Sequence, residues 1–421
     1  MRRPGAYPVY LILSGASTLF SAMMFTVLTV YYVTVVGLNP LQLVLVGTAL
    51  EATAFLFEVP TGVVADTYSR RLSVIIGTFL CGAAFVLVGS VPMFTAVLLG
   101  QVVSGIGYTF LSGAREAWIA DEVGEARIGH VFLRTAQVRQ VARLAGTFAG
   151  VGLASAQLNL PVVLGGGLTM ALGLFLVFAM PERGFRPVPR EGRTSWQAMG
   201  HTFREGAQVV RRSPVLLTLL GVEIFGGAAS EGFDRLGDAH LLANFRFPEL
   251  GNLKPVVWFG ILSAGSQVLG FLAIQALGRR LNRASRNPIT TARILLVLEA
   301  LTVLSILAFG LAGNFPLALG ALWAKSVVGS LAGPLHGAWL VQNIDLRVRA
   351  TVLSMNGQAN AFGQAAGGPA IGLIGMVRSL RAAMVASGIA LSPAVALYAH
   401  ALRRAQGSRT ESERIAAGEG P

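Results

Sequence analysis

Charged residues and cysteines are scarce in this sequence. Only 13% of its 421 residues are charged, and it holds one cysteine, whereas a soluble domain carries about 25% charged residues. The low charge excludes an ordinary soluble enzyme, a coiled coil and a disordered chain. The single cysteine excludes a disulfide framework, an iron–sulfur protein and a zinc site built from cysteines.

Apolar residues and glycine make up most of the chain. Hydrophobic residues account for 53% of it, the mean hydropathy is +0.64, and there are 51 glycines. Twelve apolar segments, the first starting near Val9 and the last ending near Ala401, are each close to the about 20 residues that cross a bilayer as a helix. Abundant glycine is typical of membrane helices that pack closely. The sequence therefore predicts an all-α polytopic membrane protein with 12 transmembrane helices.

The basic residues are distributed in a way that orients such a protein. The formal net charge is +13, and 31 of the 33 basic residues are arginines. With twelve crossings, the arginine clusters fall on one side of the membrane: Arg2–Arg3, Arg70–Arg71, Arg183–Arg212, Arg279–Arg286, Arg347–Arg349 and Arg403–Arg404. Because cytoplasmic loops carry the excess of basic residues, we predict a multi-pass protein of the cell (inner) membrane with both termini in the cytoplasm. This placement argues against nucleic acid as a partner, and we expect no removable signal peptide.

A polar segment in the middle divides the chain into two halves of six spans. We predict an N-terminal six-helix bundle over 1–182, a cytoplasmic linker with an amphipathic helix over 183–213, a C-terminal six-helix bundle over 214–402 and a disordered cytoplasmic tail over 403–421. The linker helix is predicted from apolar residues spaced three or four apart between positions 196 and 210.

The two halves resemble each other in sequence. An Ala-Trp dipeptide near the end of span 4 recurs near the end of span 10, at Trp118 and Trp339. Gly146 and Gly150 recur as glycines 222 residues later. Duplicated halves are common in secondary transporters, so the pattern favours two pseudo-symmetric bundles.

The loop between spans 2 and 3 carries a recognisable motif, which reads Gly62-Val-Val-Ala-Asp66-Thr-Tyr-Ser-Arg70-Arg71. Glycine permits close helix approach, Asp66 lies at a helix end, and the two arginines anchor the inner surface. The motif resembles that of the major facilitator superfamily of transporters. The resemblance implies two bundles around a central cavity, transport by alternating access, and an inner gate formed by Gly62, Asp66, Arg70 and Arg71.

Two further segments are similar to proton-driven drug exporters of the macrolide/tetracycline efflux type. They are Phe57-Glu-Val-Pro-Thr-Gly62 and Arg115-Glu-Ala-Trp-Ile-Ala-Asp121. In those antiporters a motif in span 4 begins with arginine, and here Gln101 takes its place. The resemblance implies proton-coupled export of small amphipathic compounds or drugs, and so multidrug efflux and antibiotic resistance. The alternative is a transporter of a specific metabolite with the same fold.

Carboxylates within the spans are candidates for proton coupling. A charge at the bilayer centre costs about 2.5–3.5 kcal/mol on insertion scales, so such a residue points to function by default. Glu223 is the first candidate, because it lies near mid-depth in span 7 and has no basic residue within one turn of its own helix. Glu231 and Arg235 are one turn apart and alternatively form a static ion pair. The other candidates are Glu51, Glu58, Asp234 and Glu231.

Two other titratable residues are not included among these candidates. Glu299 lies in span 9, which the family fold places at the periphery. His336 in span 10 is interpreted as a packed or cytoplasmic-end histidine rather than a proton carrier.

Polar residues along the spans are candidates for lining the central cavity, with hydrogen bonding between helices as the alternative. They are Ser14, Thr18, Ser21, Gln101, Arg139, Arg143, Asn356, Asn360 and Gln364. The sequence shows no metal-ligand cluster, no nucleophile–base pattern and no phosphate-binding loop. We therefore expect no enzyme activity, no cofactor and no ATP. The expected partners are a small-molecule substrate, protons and the lipid bilayer, and we expect a monomer.

The orientation can be tested with single cysteines placed at Ser69 and Ser195 in a Cys81→Ser background. Both positions are predicted to be cytoplasmic, so an impermeant thiol reagent added to intact cells leaves them unlabelled, and permeabilised cells are labelled at both. Labelling from outside at either position would contradict the orientation.

Overall fold

A computed structural model describes residues 5–187, 204, 208, 210–211, 213–285, 287–342, 344 and 349–416. Within them every regular element is helical, which confirms the predicted fold class. The helices are α1 Ala6–Tyr31, α2 Pro40–Thr67, α3 Arg70–Ser90, α4 Phe94–Leu111, α5 Ala114–Val123, α6 Glu125–Ala156, α7 Leu160–Ala179, α8 Pro214–Asn244, α9 Val257–Ala284, α10 Pro288–Leu311, α11 Phe315–Gln342, α12 Arg349–Val377 and α13 Leu380–Ala416. A π-helical turn, Tyr32–Val36, extends α1. The predicted amphipathic linker helix lies almost wholly outside the described residues.

Ten helical segments in the described part of the chain are long and apolar enough to span a membrane, one of them formed by α4 and α5 together. The predicted spans 5 and 11 correspond to α6 and α12. These helices are 32 and 29 residues long, which is enough to cross a bilayer, but their composition is not apolar enough for them to be counted among the ten. The reason for α6 is its arginines, among them Arg134, Arg139 and Arg143. In α12 the reason is a run of polar and small residues. Both helices nevertheless pack against membrane-spanning neighbours, α6 against α1 and α12 against α8.

The described chain differs from the predicted spans at two helix ends. The predicted fourth span is interrupted at Gly113, whose φ of 69° suits glycine, and α5 continues beyond the break. At the C-terminus, α13 continues to Ala416, where we expected a disordered tail from residue 403. The sequence beyond Ala401 contains Arg, Glu, Gln and Ala and no proline before the last residue, which favours a continued helix.

The chain divides into two compact units. One consists of Met1–Met199 and Phe247–Ala264, and the other of Gly200–Arg246 and Gly265–Pro421. The predicted domain boundaries at 182, 213 and 402 stay a prediction.

In each unit, one helix approaches its neighbour through two glycines that are four residues apart. In the first unit, a Cβ added to Gly146 or Gly150 of α6 would lie 2.2 or 2.3 Å from a backbone oxygen of α1. In the second unit, a Cβ on Gly363 of α12 would lie 2.0 Å from the oxygen of Ile224 on α8. The next glycine of that pair, Gly367, would lie 2.3 Å from the Cβ of another α8 residue. No side chain larger than hydrogen fits at these four positions.

This correspondence corrects the register of the internal repeat. The sequence pattern matched Gly146 and Gly150 to glycines 222 residues later, whereas the glycines with the same packing role are Gly363 and Gly367, 217 residues later. In a glycine-rich helix several glycines fit a sequence match, but only those facing the partner helix can perform this role.

We predict that Gly146→Ala lowers the thermal stability of the purified protein, because overpacking of this kind costs about 1–3 kcal/mol. The matched control is Gly152→Ala on the same helix, where an added Cβ has open space around it. Thermal unfolding in detergent measures both variants. Equal stability of the two variants would contradict the close approach of α6 to α1.

Candidate functional site

In the first unit the loop motif is held by carboxylates from other elements. Arg70, at the start of α3, forms ion pairs with Asp66 at the end of α2 and with Asp121 on α5. Its Nη2 lies 3.7 Å from Asp66 Oδ1, while Nη1 contacts Asp121 and also donates to the Ala117 carbonyl at 2.9 Å. The Asp66 side chain is 57% exposed and that of Asp121 29% exposed. Asp121 is therefore the nearer and more buried partner of Arg70.

The residues that follow α7 are joined to this motif by Glu182. Its carboxylate accepts hydrogen bonds from Ser69 Oγ at 2.7 Å and from the Arg71 backbone N–H at 2.9 Å. These contacts place an acid at the N-terminus of α3, where the helix dipole favours negative charge. The Arg71 guanidinium donates to the Val177 carbonyl at 2.5 Å, which ties α3 to the end of α7.

A second carboxylate, that of Glu122, binds the two residues that follow Glu182. Its Oε1 accepts the backbone N–H groups of Arg183 at 2.5 Å and Gly184 at 2.7 Å. Beside it the buried Trp118 donates from Nε1 to the Pro181 carbonyl at 2.7 Å. The start of the segment between the two halves is thus fastened to α5.

In the second unit Glu223 lies in a network of polar side chains from three helices. Its Oε1 is 3.1 Å from His336 Nε2 on α11, and its Oε2 accepts a hydrogen bond of 2.8 Å from Asn360 Nδ2 on α12. Gln364 donates to Asn360 Oδ1 at 2.7 Å and so fixes the orientation of that amide. Asn356 is a further polar neighbour of the carboxylate. Three residues predicted as cavity-lining are therefore brought together with the first coupling candidate.

The hydrogen bond of His336 lies on its other nitrogen, since Nε2 makes only the ion-pair contact with Glu223. Its Nδ1 lies 2.7 Å from the hydroxyl of Tyr398 on α13, which is 1% exposed. Trp339 stacks on the Tyr398 ring with a 28° interplanar angle and holds it in place. The imidazole thus joins a carboxylate on one side to a phenol on the other.

A second contact between α8 and α11 involves Asp234 and Lys325. Lys325 Nζ is 3.1 Å from Asp234 Oδ1 and 4.0 Å from the centre of the Phe233 ring. Asp234 follows Glu223 by eleven residues, and His336 follows Lys325 by eleven residues. The two helices are therefore antiparallel, and the two charge contacts lie about 16 Å apart along the helix axes.

Glu231 forms the static ion pair with Arg235 that the sequence offered as the alternative to proton coupling. It is 3% exposed, and its Oε1 accepts from Arg235 Nε at 3.0 Å on the same helix. Arginine does not lose its proton in proteins. This pair is therefore suited to neutralising charge rather than to exchanging protons.

The cavity-lining and coupling candidates of the first unit differ in how deeply they are buried. Gln101 is buried and donates to the Tyr32 hydroxyl at 3.1 Å, and Ser14 is also buried, so both lie within the helix packing. Thr18, Ser21 and Glu51 are half-buried, and Glu58 is exposed. Arg139 and Arg143 of α6 are exposed, like the other two arginines of that helix.

The sequence did not identify several residues in these contacts. Asp121, Glu122 and Glu182 complete the motif cluster, and His336 and Tyr398 complete the Glu223 network. The repeated Ala-Trp dipeptide was one available signal, because Trp118 and Trp339 lie beside the two clusters.

Among the ion pairs of the described residues, the Glu223 pair is the one whose cation is a histidine. Histidine changes charge near neutral pH, whereas arginine and lysine stay protonated. Glu223 and His336 can therefore form a charged pair that holds one proton, or a carboxylate beside a neutral imidazole that holds none. The contact thus has two protonation states, which the arginine and lysine pairs lack.

Comparison with known proteins decides the family. The profile described as Major Facilitator Superfamily matches residues 11–298, more than half of the chain. The chain belongs to the major facilitator superfamily. It is also similar to a protein of Bacillus subtilis (strain 168) described as "Uncharacterized MFS-type transporter YxaM", with 22% identity over 365 residues, covering 85% of this chain and 86% of that protein.

Solved structures with this major facilitator fold match nearly the whole chain. The nucleoside transporter NupG has a TM-score of 0.75 at 15% identity and covers 95% of this chain and 99% of its own. A bacterial homologue of the human lysosomal transporter Spinster, inward-facing and unoccupied, has a TM-score of 0.75 at 15% identity and covers 94% and 96%. The peptide transporter POT in complex with sulfate has a TM-score of 0.73 at 13% identity and covers 96% and 94%. These likenesses show the fold of this superfamily member.

We predict that Asp121→Asn destabilises this major facilitator protein more than Asp66→Asn does. Asp66 is mostly exposed and 3.7 Å from Arg70, and exposed ion pairs contribute about 0–1 kcal/mol. Asp121 is in closer contact with Arg70 and less exposed. Thermal unfolding of the two variants, which make the same chemical change, measures the difference. A larger loss in Asp66→Asn would contradict the assignment of Asp121 as the main partner.

Proposed function

We propose that this transporter uses a proton gradient to export small amphipathic compounds, with Glu223 as the coupling carboxylate. The observation that carries the proposal is the Glu223–His336 contact of 3.1 Å between α8 and α11. It joins a carboxylate and an imidazole, two groups that can carry a proton, within helices that are long and apolar enough to cross a membrane.

The surroundings of Glu223 support this role. Asn360 bonds one carboxylate oxygen, and His336 meets the other. The carboxylate is therefore held in one orientation in each protonation state. The side chain of Glu223 is 21% exposed and that of His336 14% exposed. The pair is thus shielded and still has access to a proton donor.

The other acidic candidates are weaker. Glu231 is paired with an arginine and Asp234 with a lysine, so each already has a permanently charged partner. Glu51 and Glu58 are the alternatives in the first unit.

In the proposed cycle, the Glu223–His336 pair takes up a proton when the protein is open to the outside and the substrate leaves there. The pair releases the proton to the cytoplasm when the protein opens inward and binds the next substrate. The motif cluster around Arg70 acts as the cytoplasmic gate of this cycle. Its contacts join α2, α3 and α5, so a movement of α2 relative to α3 has to change them.

Drug export is supported by the similarity of the segments Phe57–Gly62 and Arg115–Asp121 to macrolide/tetracycline exporters. Transport of a specific metabolite is the second candidate. It is favoured by the solved structures of the same fold, which include a nucleoside transporter and peptide transporters. Growth of a pump-deficient bacterial host that expresses the protein, on a panel of antibiotics, distinguishes the two when combined with uptake of labelled nucleosides and dipeptides.

We predict that Glu223→Gln abolishes proton-driven transport of the compound found in that panel and leaves its binding nearly unchanged. Glutamine keeps the shape and the hydrogen-bonding capacity of the side chain but cannot exchange a proton. Fluorescence quenching in inverted membrane vesicles measures proton movement, and equilibrium binding to the purified protein measures affinity.

The matched control is Glu249→Gln, the same change in an exposed loop residue, which we expect to transport like the wild type. Wild-type proton movement in Glu223→Gln would contradict the assignment. The same assay on Glu51→Gln and Asp234→Asn would then identify the coupling residue.

A further inference from the structure

Two arginines of α6 lie on the helix face that meets α1. Arg139 and Arg143 each precede by seven residues one of the two glycines that pack on the α1 backbone. Seven residues bring an α-helix back to the same face within about 20°. Seven residues before Arg139, the ring of Phe132 packs against that of an α1 tyrosine, with 6.5 Å between the ring centroids. The two arginines therefore lie between two contacts of α6 with α1.

The contacts with α1 also set the depth of the two arginines. Val138, next to the first of them, lies against Gly15 of α1. Gly146, three residues after the second, lies against the carbonyl of Leu19. Gly15 and Leu19 are the tenth and fourteenth residues of a 31-residue segment that is long and apolar enough to cross a membrane. They lie within about 9 Å of its middle, and half the hydrocarbon thickness is about 15 Å. Both arginines are therefore at the level of the hydrocarbon core.

The charges of these arginines are not compensated within the described chain. Both residues are exposed, and among the residues that the structure describes no carboxylate forms an ion pair with either. An arginine that faces lipid at this depth is costly, and two like charges one helical turn apart repel each other. Thr18 and Ser21, both half-buried, follow α1 near this level. These features indicate a water-filled path beside α1 with two positive charges on its wall.

We propose that Arg139 and Arg143 bind an anionic group, a carboxylate or a phosphate, of the transported compound. This inference rests on the proposed function, because it names the charge of the compound that the protein exports. Side chains at positions i and i+4 have Cβ atoms about 6 Å apart, so both guanidinium groups can donate to the oxygens of one such group. The bound anion supplies the counter-charge that the described chain does not. The exported compounds are then acidic amphipathic molecules.

The test compares three fluorescent probes that share one apolar group and differ in charge. Dansylglycine carries a carboxylate, its methyl ester is neutral, and dansylethylenediamine is a cation. Fluorescence anisotropy with the purified protein in a neutral detergent measures the affinity of each probe. The variants are Arg139→Gln, Arg143→Gln and the double variant. The matched control is Arg127→Gln, the same change in an exposed arginine of α6 that lies about 120° around the helix from Arg139.

We expect the wild type to bind dansylglycine at least tenfold more tightly than the ester. Arg139→Gln and Arg143→Gln each weaken dansylglycine binding by about tenfold, because each removes a charged hydrogen-bond donor, and they leave the affinity for the ester unchanged. Arg143→Lys keeps the charge and loses less affinity than Arg143→Gln. Arg127→Gln binds all three probes like the wild type.

Thermal unfolding without any probe distinguishes a ligand site from a structural ion pair. Removal of an uncompensated charge relieves repulsion, so Arg139→Gln and Arg143→Gln are at least as stable as the wild type. Lower stability in either variant, or failure to fold, would show a structural role and overturn the inference. It is also overturned if the wild type does not prefer the carboxylate, or if Arg127→Gln weakens dansylglycine binding as much as the other two variants do.

An anionic lipid headgroup is a second source of the same chemistry. Thermal unfolding is therefore repeated in mixed micelles with phosphatidylglycerol or with phosphatidylcholine. We expect the difference between the two lipids to be the same in the wild type and in the double variant. If phosphatidylglycerol stabilises only the wild type, and the arginine variants bind dansylglycine normally, the arginines hold a lipid and not the transported compound.

The binding test uses no proton gradient, so it separates this inference from the proposed function. If the arginines determine the preference for the carboxylate while Glu223→Gln keeps wild-type proton movement, the anion site stands and the coupling assignment fails. If Glu223→Gln loses proton movement while the wild type prefers the ester or the cation, the coupling assignment stands and the anion site is wrong.

Discussion

A charged side chain within a membrane-spanning helix is stable only when a partner or water compensates its charge, and this constraint orders the polar interior of the second unit. Three of its acids meet three different cations: Glu231 meets an arginine, Asp234 a lysine and Glu223 a histidine. The cation decides what each pair can do. Arginine and lysine keep their protons and give fixed pairs, whereas histidine allows the pair to change its protonation state.

In the first unit the same constraint acts at the ends of helices. Arg70 and Arg71 are held by acids and carbonyls from α2, α5 and α7, and two neighbouring acids, Glu122 and Glu182, accept backbone N–H groups. A backbone bond fixes the path of the chain and not only the position of one side chain. The motif cluster is therefore a junction of helix ends, and a gate built from it moves several helices together.

The fold class could be predicted from composition, span count and the loop motif, because these depend on properties of single segments. Glu223 was identified because it has no basic neighbour on its own helix. Its partner His336 lies on another helix, and a sequence does not show which face of one helix meets another. The repeat register was wrong because glycine is frequent in these helices, and only the packing distinguishes Gly363 and Gly367 from their neighbours.

The equal spacing of the charge contacts between α8 and α11 limits how these helices can move. Glu223 and Asp234 are eleven residues apart, and so are their partners Lys325 and His336. A piston-like shift of one helix along the other would break both contacts at once. A hinge that opens one end would break one contact and leave the other as a pivot. Within the second unit, a tilt that opens one end is therefore the motion that breaks fewer of these contacts.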